Sequence, residues 1–167
     1  MTTGQRFIPS HFTRSGMSLI RIARELSDLQ RDPFSTGPVS PASDDDPRHW
    51  VTRLNGPPNS PYANGVFAID IQFLEDYPRI PPHMTFLTPV FHPNVSAQGD
   101  IRLAEFVWDQ WCPAITIRMF LLSIQAMLSD PNLLEGCILN EKVAALLLKD
   151  KQRFEKEARE WTVMHAV

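Results

Sequence analysis

Long apolar runs are missing from this chain of 167 residues. No stretch approaches the roughly 18 apolar residues needed to span a bilayer, and no signal-type hydrophobic segment stands at the amino end. A membrane partner is therefore not expected. Cysteine is scarce: Cys112 and Cys137 are the only two, and neither lies within ten residues of a histidine. That excludes a disulfide framework and a zinc site of the usual spacing. The five histidines are dispersed with no i, i+4 pair, so neither metal nor cofactor is expected. The glycines number seven, stand singly, and make no phosphate-cradling pattern. Blocks of like basic charge are absent too; the net charge is −3 and Lys and Arg are scattered, which argues against a nucleic-acid partner. A reducing compartment, cytoplasm or nucleus, is the expected location.

Proline, by contrast, is plentiful: 15 residues, where ordinary usage gives about 8. Many cluster at Pro57-Pro58, Pro61, Pro78, Pro81-Pro82, Pro89 and Pro93. Such density predicts strands joined by rigid, non-repetitive connections. Apolar residues at 43% and charged residues at 21% are ordinary globular usage. The length suits one domain, read as residues 15–167 behind a loose tail at 1–14.

Between Ser18 and Gln30, Leu19, Ile22, Ala23, Leu26 and Leu29 recur at helical spacing, and Asp32-Pro33 stops the helix. Residues 35–47 are turn-rich and acidic and read as a solvated loop. A short strand is expected near Trp50–Leu54. Phe67, Ile69, Ile71 and Phe73 alternate with polar or small residues, the cleanest strand signal in the chain. Met84–Leu87 makes a third strand, and a further one is expected before Trp50 or within 36–43. Thr88–Ala114 has no periodicity, which in a compact domain points to function. Thr116, Asn140 and Asp150 are placed to cap three later helices. The second helix directs Ile117, Phe120, Leu121, Ile124 and Leu128 inward, and the last buries Phe154, Ala158 and Trp161. The fold class is α+β: a helix, a four-stranded antiparallel meander, then three helices.

The stretch His92–Ile117 reads H-P-N-V-S-A-Q-G-D-I-R-L-A-E-F-V-W-D-Q-W-C-P-A-I-T-I. It resembles the signature of ubiquitin-conjugating enzymes: His-Pro-Asn, a turn with Gly, Ile, the thioester-forming Cys, Leu, then Trp-x-Pro-Ala-x-Thr-Ile. Gly56–Phe67 is similar to the family's G-P-x-x-[ST]-P-Y-x-G-G-x-F hairpin. Tyr77-Pro78-x-x-Pro81-Pro82 is similar to its Y-P-x-x-P-P corner, and Asp130-Pro131-Asn132 to its D-P-N. The resemblance runs over roughly 17–166 and implies the ubiquitin-conjugating fold, with a cis bond at Tyr77-Pro78.

In this resemblance Arg102 fills the slot of the family's nucleophile. A guanidinium stays protonated at physiological pH and carries no sulfur. Ile101 and Leu103 bracket the slot, so Cys112, inside the Trp-x-Pro-Ala frame, does not belong there. Ala104 after Leu103 and a 104–110 segment one residue longer than in compact members are further departures. Together they read as drift after catalytic demand was lifted.

The resemblance gives His92 and Asn94 the support of the active-site loop, with oxyanion stabilisation as a second role for Asn94. It sets Glu135 near the family's acidic residue beside the incoming lysine, and Cys137 on a segment flanking the groove. An Arg102–Glu135 ion pair is expected. The residues corresponding to the family's partner surface are Arg21, Arg24, Arg79, Trp111, Pro113 and Ala114. Arg79 stands where the family usually offers an apolar or aromatic residue, which predicts an altered partner set.

The implied function is a non-catalytic member of ubiquitin or ubiquitin-like conjugation that binds the modifier or an active conjugating enzyme. The activating enzyme or a ubiquitin ligase are further expected partners. Two alternatives stand: an enzyme charged at Cys137, or an adaptor that reuses the scaffold outside the ubiquitin system.

Overall fold

The computed structural model describes residues 14–33, 38–103 and 111–167. Residues 1–13, which hold nearly all of the expected tail, and residues 104–110, the lengthened segment, lie outside the described residues. Helix α1 (Arg14–Arg31) precedes four strands: β1 (Ser40–Ser43), β2 (Asp46–Asn55), β3 (Val66–Gln72) and β4 (His83–Phe86). These pair antiparallel in the order β1-β2-β3-β4. Helices α2 (Ile117–Ser129), α3 (Glu141–Lys149) and α4 (Lys151–His165) follow. The α+β plan and the four-stranded meander match the expectation. No helix among the described residues is long and apolar enough to cross a membrane.

Alternation in sequence becomes alternation of faces because successive strand side chains point to opposite sides. Trp50, Thr52 and Leu54 of β2 lie opposite Ile71, Ile69 and Phe67 of β3, and Ile69 and Ile71 in turn face Phe86 and Met84 of β4. All are buried. Helices α1 and α2 lie against β2. Phe73 links Trp50 to Tyr77 through edge-on rings at 4.6 and 4.8 Å.

The strand expected within 36–43 is found as β1, and the reading of 35–47 as a loop is corrected over its described residues. Ser40–Ser43 and Asp46–Asn55 are strands joined by a tight turn, Ser43 facing Asp46 across it. Ser-Pro-Ala-Ser carries no apolar alternation because β1 is an edge strand whose side chains are mostly exposed.

Helix α1 also departs from its pattern. Its buried stripe is Ser18, Ile22, Glu25 and Leu29, whereas Ala23 is exposed. Ser18 accepts from Arg48 Nη1 at 3.0 Å. Glu25 accepts from Arg21 Nε at 2.5 Å, from the Ile117 amide at 2.6 Å and from the Tyr77 hydroxyl. Partners from distant elements make these two polar residues burial-competent, and the helix is rotated accordingly.

Each of the later helices starts at the residue expected to cap it. Thr116, Asn140 and Asp150 accept from the Met119, Val143 and Arg153 amides at 3.3, 3.3 and 3.0 Å. Helix α4 buries Phe154, Ala158 and Thr162; Trp161, expected in that stripe, is 39% exposed and flanks Phe91 and His165 instead. Thr162 can be inward because its hydroxyl donates to Ala158 O at 2.8 Å. The end of α4 returns to the sheet, where Ala166 O accepts from the Val66 amide at 3.0 Å.

Candidate functional site

The described residues between β4 and α2, 87–103 and 111–116, have little regular structure, so their polar groups have to be paired individually. The 96–99 turn is held by the Ser96 hydroxyl, which accepts from the Gln98 and Asp100 amides at 3.2 and 3.0 Å. Gly99 sits at φ +91°, and an added Cβ there would fall 2.1 Å from Phe86 O. That close approach lets the Phe86 amide donate to Gly99 O at 2.9 Å, tying the turn to β4.

His92, Pro93 and Asn94 are buried together and join this segment to α2 and to the 132–140 stretch. His92 Nδ1 accepts from the Asn94 amide at 3.1 Å, which leaves Nε2 to donate to Met127 O at 3.0 Å. This fixes a neutral Nε2–H ring. Burial drives its pKa down to about 3, against the smaller opposing pull of the Met127 carbonyl. Pro93 O accepts from the Leu139 and Asn140 amides, both at 2.9 Å. Asn94 is fully buried; Nδ2 donates to Asn132 O at 2.6 Å and to Cys137 O at 2.8 Å, and Oδ1 accepts from the Asn132 amide at 2.9 Å. Both of its amide hydrogens are therefore directed into the 132–137 loop.

Asn94 O accepts from the Arg102 amide at 3.1 Å, which sets residue 102 beside this hub. The Arg102 side chain is exposed, and Nη1 donates to Gly136 O at 3.2 Å. The expected Arg102–Glu135 ion pair is corrected: none joins these two residues, because the guanidinium turns to the neighbouring carbonyl while Glu135 faces solvent. An open groove of about 390 Å³ is lined by Leu103, Met127, Asp130, Asn132 and Leu133. Cys137 is 6% exposed and Cys112 is exposed; both thiols are free. No cluster of three metal-ligating side chains forms among the described residues.

The residues expected to meet partners form a second region. The Tyr77-Pro78 bond is cis. Trp111 Nε1 donates to Pro78 O at 2.8 Å, joining the 111–114 loop to the 77–82 corner. Pro113, Ala114, Arg79 and Arg24 are exposed. Arg21 is different: its side chain is only 27% exposed and is occupied by Glu25 and by Ile115 O, the latter at 3.1 Å.

Sequence reasoning named neither Glu25 nor Gly136, and Asn132 only as part of a motif. Glu25 leaves no local signal, since the nearest of its distant partners is 52 residues away. Gly136 acts through its carbonyl, which every residue type possesses.

A family model described as Ubiquitin-conjugating enzyme matches residues 21–162. The chain belongs to the ubiquitin-conjugating enzyme family. The match contains the whole 92–103 segment, the 132–137 loop and the cis-proline corner. Membership gives the protein a role in ubiquitin-like conjugation, in a family whose members interact with ubiquitin or ubiquitin-like modifiers and with ligases.

Proposed function

We propose that this ubiquitin-conjugating family member is non-catalytic and regulates conjugation by binding the modifier or an active conjugating enzyme. The observation that carries the reading is Arg102: an exposed, permanently charged side chain at the position its flanking motifs assign to the thioester-forming cysteine. Without a thiol at that position acyl transfer has no nucleophile. Two further features support it. Cys137, the alternative nucleophile, is buried, whereas a nucleophilic thiol has to reach its substrate. Asn94 spends both amide hydrogens on internal carbonyls, which favours loop-ordering over oxyanion stabilisation.

Arg79, Trp111, Pro113 and Ala114, with Arg24 on α1, form the surface proposed to meet a ligase or conjugating enzyme, in cytoplasm or nucleus. Arg21 contributes by bracing α1 against the start of α2. Solution titration of the protein with ubiquitin and with a panel of conjugating enzymes tests the regulatory role. Saturable binding to at least one is expected. Binding to none would favour an adaptor outside the ubiquitin system.

A further inference from the structure

Helix α4 has two faces, and the core accounts for only one of them. Phe154, Ala158 and Thr162 face inward. On the opposite side Lys156, Arg159, Glu160, Val163 and Met164 recur at i, i+3, i+4, i+7 and i+8, the spacing of a single helical stripe. An outward stripe of this kind is ordinarily polar throughout. Here the neighbouring residues Val163 and Met164 are 78% and 68% exposed. Single apolar residues scattered over a surface need no account, whereas adjacent ones beside a concavity mark a contact site.

The stripe is bordered by two open depressions that meet at Arg159 and Val163. One, of about 470 Å³, lies between α4 and the 56–65 connection of β2 to β3, with Pro61, Ala63 and Ala166 as apolar walls. The other, of about 450 Å³, continues over Lys156, Glu160 and Met164. The cations along the helix are not equivalent. Lys156 approaches Glu160 at 3.9 Å and Arg153 holds Glu157 at 2.8 Å. Arg159, at the junction, is exposed and makes neither an ion pair nor a hydrogen bond among the described residues. The side-chain amide of Asn64, beside the larger depression, is likewise unpaired among the described residues.

A free guanidinium with apolar surface on both sides complements the inverse pattern, a carboxylate flanked by apolar side chains. The Asn64 amide adds a donor and an acceptor for the main chain of such a ligand. Glu160, on the same stripe, repels a run of acidic residues, so one carboxylate fits better than several. We propose that the outward face of α4, centred on Arg159, docks a short segment of another protein in which a single acidic residue stands between apolar ones. This surface shares no residue with the 92–103 segment, the 132–137 loop or the 77–82 corner, so it stands apart from the regulatory reading above.

The test titrates the full chain, labelled with nitrogen-15, with a peptide carrying leucine, glutamate and leucine between glycine-serine flanks. Both peptide ends are blocked, so the glutamate is its one charge. A contact this small is weak and exchanges fast, which suits chemical-shift mapping. Saturable shifts centred on residues 159–166 and on the Asn64 side-chain amide are expected. The glutamine counterpart should bind about two- to fivefold more weakly, the size of an exposed ion pair. Val163→Asp should weaken the glutamate peptide at least about tenfold, through lost apolar contact and like-charge repulsion. Arg159→Glu should prefer a lysine counterpart to the glutamate peptide, reversing the wild-type order. Both positions are exposed, so unchanged melting curves should accompany these effects. No shifts by about 1 mM peptide, equal affinity for the glutamate and glutamine peptides, or an order of preference that Arg159→Glu does not reverse would overturn the proposal. So would shifts at 159–166 that grow with protein concentration in the absence of peptide, which would assign the face to a second copy of the chain.

Discussion

Deleting the Asn94 amide would remove three hydrogen bonds at once, a buried one to Cys137 O and two part-buried ones to Asn132 N and Asn132 O. Orphaning the buried Cys137 carbonyl costs about 1–3 kcal/mol, and the half-buried Asn132 groups add less. Asn94→Ala is therefore expected to lower stability by about 3 kcal/mol in urea unfolding, within that per-group range. A loss below about 0.5 kcal/mol, the size of an ordinary surface substitution, would mean that the 132–137 loop is held by something else. His92 gives a pH dependence of definite sign. Its folded-state pKa lies near 3 because the ring is buried, whereas the unfolded chain takes up a proton near the ordinary 6.5. The contribution to stability is therefore complete above pH 6.5 and is lost progressively as pH falls towards 3. In His92→Gln the protein should be less stable at pH 7, with a shallower decline between pH 6.5 and 4. Parallel declines in both proteins would show that the ring does not stay neutral. The loop-supporting roles implied for these two residues were stated from the motif alone. Which nitrogen donates, and to what, was not legible, because Met127 and Cys137 contribute only their carbonyls.

Among the elements, β2 carries an unresolved polar group. Thr52 lies between Trp50 and Leu54 on the helix-covered face, is 1% exposed, and its hydroxyl has no hydrogen-bond partner among the described residues. Replacing that oxygen by a methyl group of similar size removes a desolvation penalty and keeps a β-branched strand former. Thr52→Val should raise the urea midpoint by the equivalent of about 1 kcal/mol; a lowered midpoint would reveal an unseen partner for the hydroxyl. Element boundaries were legible where periodicity and caps agreed, as for β3 and for α2, α3 and α4. They were not where tertiary contacts decide. Ser18 and Glu25 are polar by sequence yet face inward, because Arg48, Tyr77 and the α2 N-terminus meet them there. Thr162, one i, i+4 step beyond Ala158, takes the inward place instead of Trp161, and the missing Cβ of Gly65 leaves room for its Cγ2.

At the scale of the whole molecule, short motifs in fixed order located the site better than any single element did. His92-Pro93-Asn94 and Asp130-Pro131-Asn132 are far apart in sequence, and the fold joins them through the Asn94 side chain, which bonds the Asn132 amide and carbonyl. Their spacing was readable because these anchors are rigid or buried. The orientation of Arg102 was not, since an exposed side chain takes whichever acceptor lies nearest, here a carbonyl and not the expected carboxylate. Loss of thioester chemistry at this position is the claim on which the functional account turns. The direct measurement is incubation of the purified chain with activating enzyme, ATP and ubiquitin, scored for a reductant-sensitive adduct, alongside Cys137→Ser and Arg102→Cys. The account predicts no adduct on the wild-type chain or on Cys137→Ser. An adduct on the wild-type chain that disappears in Cys137→Ser would contradict it and make the protein an active conjugating enzyme with a relocated nucleophile.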